Sequence, residues 1–201
     1  MMRVGQYSTP NGKGRMKTTG TLGDVMKESA RAALSFIKQR ATEYGIDIPN
    51  LETSEIHIHL PAGAVPKEGP SAGIALATAL VSSLTNIPVR KNVAMTGEIT
   101  LRGRVMKIGG LKEKILGAKR AGITDIVFPS ENNADLADIP AYLTKGLTFH
   151  PVDTLEEVLD IALVGGKAAL TKRSTPESTS GTPPKKSRPT PPFSEERPLP
   201  V

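Results

Sequence analysis

The chain has no cysteine among its 201 residues, which removes disulfides, thiolate zinc sites and a cysteine nucleophile from consideration. Its three histidines show no clustered metal-ligand spacing, so no metal site is expected. No apolar stretch reaches the ~18 residues of a membrane span. The amino terminus lacks the apolar core of a signal peptide, so cytoplasmic residence is expected, with no membrane partner. A Gly-x-x-x-x-Gly-Lys-Ser/Thr phosphate loop is missing throughout, so ATP should neither bind tightly nor be hydrolysed by these residues. Apolar residues make up only 38%, low for a globular chain, and that deficit is local.

It is concentrated in residues 167–201, which hold eight of the 17 prolines, many Ser, Thr and Lys, and no apolar periodicity. Such a segment buries too little apolar surface to offset its ordering entropy and is expected to be a disordered tail. Seven basic against three acidic residues place +4 of the formal +6 there, leaving +2 for residues 1–166. A body so nearly neutral argues against nucleic acid as a partner. One domain over 1–166, followed by the tail, is the expected organisation.

Within 1–166, residues 21–44 read as a long helix with Met26, Ala30, Ala33, Leu34 and Ile37 on one stripe. Thr21 and Asp24 resemble a capping box, and Gly45 supplies the stop. Residues 55–60 (Glu-Ile-His-Ile-His-Leu) alternate strictly and predict a strand, with Ile56, Ile58 and Leu60 toward the core and His57 and His59 on the other face. A turn over 61–70 feeds a helix over 71–84. A short strand at 93–95 and a hairpin over 97–106, turning near Arg102-Gly103, come next. A helix over 111–120 ends at Gly122, a strand over 123–128 stops at Pro129, and another strand spans 147–152. An amphipathic helix over 154–164, capped by Thr154 and Glu157, precedes Gly165-Gly166, which close the fold. This order, without internal repeats, predicts one α/β domain.

Pro66-Lys67-Glu68-Gly69-Pro70-Ser71-Ala72-Gly73 puts one serine at the mouth of a helix, in a turn that brings backbone amides close to whatever the serine attacks. A serine at a helix start is commonly its cap. Pro70, however, prefers the first helical position, which makes Gly69 the cap and leaves the Ser71 hydroxyl for other work. Amides there point outward, and the positive helix end favours a developing oxyanion. The same turn also reads as the phosphate cradle of a small-molecule kinase, although no Mg²⁺-binding and base constellation accompanies it.

A candidate base lies on the helix over 111–120. Lys114 has Leu111, Gly117, Ala118 and Ala121 at i−3, i+3, i+4 and i+7, all uncharged, whereas Lys112 shares its side with Lys119 and suits a solvated position. Lys114 is therefore expected to be the partly buried lysine, the alternative being a side chain that snorkels to the rim. A free lysine is neutral only about once in a thousand at pH 7.4, and desolvation raises that fraction enough to give a usable base. A neutral amine takes a serine's proton as an imidazole does elsewhere, so Ser71 and Lys114 suffice for acyl transfer. His57 and His59, just upstream of the serine turn, offer a competing base and hence a Ser–His–Asp triad. Thr96, at the end of the strand 93–95, is placed to hold the lysine amine through its hydroxyl, or to serve the turn alone.

Three segments in order, Pro-Lys-Glu-Gly-Pro-Ser-Ala-Gly at 66–73, Met-Thr-Gly-Glu-Ile-Thr-Leu-Arg-Gly at 95–103 and Gly-Gly-Leu-Lys-Glu-Lys at 109–114, closely resemble the proteolytic domain of bacterial Lon proteases (endopeptidase La) of the A-type subfamily. The likeness runs from about Gly12 through Val164. It implies the Lon proteolytic-domain α/β fold, which is ribosomal protein S5 domain 2-like, and a Ser–Lys dyad with Ser71 as nucleophile and Lys114 as base. It also implies that Thr96 positions the dyad, with Glu68, Gly69, Pro70, His57 and His59 supporting it or lining its cleft. Cleavage of unfolded or damaged proteins and a homo-hexameric ring are implied as well.

The resemblance implies no cofactor for this chain, because ATP and Mg²⁺ act through the ATPase module of a longer parent; an excised or truncated proteolytic domain is the expected organisation. Glu68 stands where most bacterial members have aspartate, which keeps the charge but alters the loop beside the nucleophile. Residues 1–7 do not resemble the strand that usually leads into the domain, so one edge is expected to be incomplete. A ring-forming module with its dyad held apart is the inactive alternative.

Overall fold

Strict alternation builds the first sheet. In the computed structural model, which describes residues 3–8, 15–60 and 69–174, strands β1 (Arg3–Ser8) and β2 (Met16–Gly20) flank β3 (Ser54–Leu60). β1 pairs with β3 antiparallel and β2 pairs with it parallel. The period of two sends Ile56 and Ile58 into the core and leaves His57 and His59 half-buried on the opposite face. β1 pairs along all 6 of its residues, which corrects the expectation of an incomplete edge at residues 1–7.

Helix α1 (Asp24–Gln39) buries the expected stripe together with Phe36. It is shorter than 21–44 at both ends. Gly23 is its N-cap and no side chain caps it. The Thr21 amide instead donates to Leu60 O at 3.3 Å, continuing the β2–β3 ladder, so sheet pairing displaces the capping box and the buried Thr21 hydroxyl has no partner among the described residues. At the other end the chain leaves the helix at Arg40 through a turn over 40–45, and Gly45, with φ +65°, ends that turn and not the helix. A short helix α2 (Ile48–Thr53) then leads into β3.

A 3₁₀ turn (Pro70–Ala72) precedes α3 (Gly73–Thr85), whose Ile74, Leu76, Ala77, Leu80 and Val81 are buried. Next come β4 (Val93–Met95), the hairpin of β5 (Glu98–Ile99) and β6 (Val105–Met106), α4 (Leu111–Arg120), and β7 (Asp125–Pro129). Short helices α5 (Asn133–Ala137) and α6 (Ala141–Thr144) lead to β8 (Thr148–Val152), α7 (Leu155–Ala162) and α8 (Gly166–Ser174). The Thr154 hydroxyl caps α7 by accepting from the Glu157 amide, as its sequence predicts, and the Glu157 carboxylate accepts from the Asp153 amide at 2.9 Å. The expected closure at Gly165-Gly166 is corrected by α8, whose Leu170 is buried in the core. One leucine among lysines is too little for periodicity to register. The remainder of the segment read as a tail lies outside the described residues.

The second sheet, in the order β4-β7-β8, is wholly parallel and covered on both faces. Alternation along β7 divides its side chains between two cores. Val127 faces the larger one, with α1, α3, α7 and Val152. Ile126 and Phe128 face a smaller cluster with Ile108, Leu111, Ile115 and Ile139. Among the described residues no helix is long and apolar enough to cross a membrane.

Candidate active site

Gly69 takes φ +100° and ψ 156° at the head of the 3₁₀ turn, a conformation that residues with a side chain rarely adopt. A Cβ there meets nothing within 4 Å among the described residues, and the requirement for glycine is conformational. Pro70 follows at the start of the turn, as expected, and no side chain caps it. The Ser71 hydroxyl is thus not spent as a cap.

Three hydrogen bonds lock the backbone around Ser71 onto the strand that leads to β5. The Ser71 carbonyl accepts from the Gly97 amide at 2.9 Å and from Thr96 Oγ1 at 3.1 Å. The Ile74 amide donates to Gly97 O at 3.1 Å. The approach is close enough that glycine is needed on both sides. A Cβ on Gly73 lies 2.7 Å from Ile99 N, and one on Gly97 lies 2.7 Å from Val105 Cγ1. Ser71 therefore cannot shift unless the β5–β6 hairpin shifts with it.

Lys114 arrives from α4 on the other core, and its Nζ donates to Ser71 Oγ at 3.2 Å across 43 residues of sequence. That separation is within the reach of a proton transfer. The two groups line a cavity of about 230 Å³ with Thr96; its remaining walls are Ala72, Ala75, Ala94, Met95, Leu111, Ala118 and Ile126. Met95 packs on the larger core while Leu111 and Ile126 belong to the smaller one, so the cavity opens along the seam between them, beside the edge strand β4.

The structure departs from the sequence expectations at three groups. Lys114 is exposed and not partly buried. The lysine that the fold takes in is Lys119, whose Nζ donates to the carbonyls of Tyr142, Leu143 and Lys145 at 3.0, 3.0 and 3.1 Å. The stripe along α4 takes in only that helix's own residues, and these three acceptors come from α6 and the residue that follows it. Thr96 donates to the Ser71 carbonyl and not to the Lys114 amine. His57 Nε2 and His59 Nδ1 both meet Thr19 Oγ1 of β2, at 2.7 and 2.8 Å, while His150 pairs with Asp125. No imidazole lines the Ser71 cavity, so the histidine triad is not assembled among the described residues. Glu68 lies outside the described residues. Among those described, no group of three or more His, Cys, Asp or Glu gathers in a way that could hold a metal.

One buried polar residue carries no local signal in the sequence. Asn132 is fully buried; its Oδ1 accepts from the Ile108 amide at 3.1 Å and its Nδ2 donates to Ile108 O at 2.8 Å. Nδ2 also donates to the Asp135 carboxylate, and that bond, with Lys107 nearby, holds the Asp135 carboxyl below the usual carboxylate range. In the sequence Asn132 sits in a polar run after Pro129 and reads as ordinary turn chemistry; its partner is 24 positions away.

Residues 1–165 match the family described as the Lon protease (S16) C-terminal proteolytic domain. The chain is 60% identical over 168 residues to Lon protease 2 of Thermus thermophilus, a span of 84% of this chain and 21% of that protein. It is 62% identical over 152 residues to Lon protease of Brevibacillus choshinensis, 76% of this chain and 20% of that one. Against Lon protease 1 of Bacillus subtilis the identity is 57% over 162 residues, 81% and 21% of the two chains. The chain thus spans about one fifth of the length of these curated relatives.

Proposed function

Because the chain belongs to the Lon protease (S16) C-terminal proteolytic domain family, a family of serine endopeptidases, we propose that Ser71 and Lys114 form its catalytic dyad and that it cleaves peptide bonds of unfolded or damaged proteins. The observation that carries this reading is the 3.2 Å contact between Lys114 Nζ and Ser71 Oγ. Ser71 Oγ attacks the scissile carbonyl carbon while the neutral Lys114 amine takes the hydroxyl proton. Oxyanion donors come from the turn at 69–71; Pro70 has no amide proton, which leaves the Gly69 and Ser71 amides. The tetrahedral intermediate then collapses, the C–N bond breaks, and the lysine ammonium protonates the leaving amine. Water, deprotonated in turn by Lys114, hydrolyses the ester and frees Ser71.

Lys114 is exposed in the chain alone. A peptide laid across the cavity excludes water from it, the condition under which a lysine gives up its proton. Thr96, through the Ser71 carbonyl, positions the nucleophile. The mostly apolar cavity of about 230 Å³ beside the dyad accepts an apolar side chain of the substrate. The same reading gives the domain the ribosomal protein S5 domain 2-like fold, a homo-hexameric ring in its parent and cytoplasmic residence. It gives the chain no cofactor of its own, ATP and Mg²⁺ acting through a separate ATPase module. An inactive module requires a separated dyad, and the contact between the two groups lends that reading no support.

The test is turnover of an unstructured fluorogenic peptide by Ser71→Ala. Removing one small hydroxyl should leave the fold intact and lower the rate by at least about 10³-fold. A well-folded Ser71→Ala protein that keeps turnover comparable to the parent's sinks the assignment.

A further inference from the structure

We propose that Asn132 is a positioning residue for this reaction, setting where α4 begins and thereby where Lys114 meets Ser71. The inference rests on the dyad reading above. Ser71 has a backbone lock of its own, whereas α4 is reached through Gly109 and Gly110, and a Cβ on Gly109 meets nothing within 4 Å. Between the buried side chains of Ile108 and Leu111, the two glycines contribute no side-chain packing to the path from β6 into the helix.

The last fixed point before that path is Ile108. Both of its backbone polar groups are taken by one side chain, since the Asn132 carboxamide accepts from the amide and donates to the carbonyl. It serves as a neighbouring strand would, and it does so fully buried. A carboxamide offers an acceptor and a donor side by side whatever the pH, whereas an ionised carboxylate has no donor. Helix α4 starts at Leu111, and the Lys114 amide already bonds Gly110 O, at 3.2 Å. A displacement of Ile108 reaches Lys114 within one helical turn. Apolar contacts of Leu111 and Ile115 hold the helix against its cluster but, being non-directional, fix its position along the axis poorly. A misplacement of about 1 Å at a reacting group costs on the order of 10²-fold in rate.

The experiment compares Asn132→Asp and the double variant Asn132→Asp/Asp135→Asn with the parent chain on the same peptide. Asn132→Asp keeps the shape and the acceptor for the Ile108 amide but loses the donor and sets two carboxylates together. The double variant restores a donor at 135, so the 132–135 contact survives with its polarity reversed; the bond to Ile108 O is lost, together with the exposed ion pair that Asp135 makes with Lys107 at 3.4 Å, which is worth little. For both we expect kcat per folded molecule to fall about 10- to 100-fold with KM within about twofold. Added methylamine, which substitutes for a misplaced amine, should raise the rate of both variants as it raises that of Lys114→Ala. A folded double variant with the parent kcat overturns the inference, as does one whose loss does not respond to methylamine that revives Lys114→Ala. Undiminished turnover by Lys114→Ala itself overturns the dyad reading, and the inference falls with it.

Discussion

Ser71 rests on the larger core, where α1, α3 and α7 pack with Val127 and Val152, whereas Lys114 rests on six buried residues on the opposite face of the same sheet. On the serine side, position is set by volume: an added carbon on Gly73 lies 2.7 Å from the Ile99 backbone nitrogen, and one on Gly97 lies 2.7 Å from the Val105 side chain. On the lysine side there is open space around Gly109 and Gly117, and position is set by polar side chains, Asn132 before α4 and Lys119 near its end. The proposed dyad, assembled across such a seam, has one member that steric change displaces and another that loss of a hydrogen bond displaces. The two halves should therefore fail differently.

The largest effect should come from a methyl group on the serine side. Gly73→Ala and Gly97→Ala each force the Ser71 turn and the β5–β6 hairpin apart, costing about 1–3 kcal/mol by overpacking and about 10²-fold in kcat through displacement of the nucleophile. Denaturant melts and peptide turnover measure both, and alanine tolerated at 73 and 97 would break the comparison. A smaller loss is expected at Lys119. Lys119→Met leaves three carbonyls without their shared ammonium and should cost about 1–3 kcal/mol, with a lower kcat and little change in KM. Lys119→Arg should recover only part of it, because a planar fork does not match three acceptors converging on one point. Lys112→Arg, on an exposed lysine, should behave as the parent. The smallest effect, and one of opposite sign, is expected at Gly117. It lies inside α4 with nothing within 4 Å of a new Cβ, so Gly117→Ala should stabilise the chain by about 0.5–1 kcal/mol and leave turnover unchanged. A shift in the denaturation midpoint reads this directly.

Features written in local pattern were legible in the sequence. The α1 stripe, the alternation over 55–60, the hairpin over 97–106 and the Thr154–Glu157 cap each involve residues within one or two turns of one another, so periodicity and capping rules reach them. The Gly-Pro turn that carries Ser71 was legible for the same reason, whereas the uncharged stripe that singled out Lys114 predicted burial for a side chain that is exposed. Features whose partner lies elsewhere in the chain were not. The Thr96 hydroxyl chose between the Lys114 amine and the Ser71 carbonyl, and only the fold shows the second. Lys119 looked solvated because the carbonyls it bonds are at least 23 positions away. The capping box at Thr21 failed because its amide was already engaged by Leu60 of β3. β1, too, is specified by the edge of β3 that it completes, and Asn132 by a peptide unit at Ile108.

In the proposed dyad Lys114, and no histidine, activates Ser71. Mass spectrometry after exposure to a serine-directed acylating reagent tests it on four folded proteins: the parent chain, His57→Gln, His59→Gln and Lys114→Arg. Arginine keeps the charge but cannot deprotonate in a protein. A single adduct on Ser71 is expected in the first three and none in Lys114→Arg. An adduct that persists in Lys114→Arg, or that disappears with either histidine, would contradict the claim.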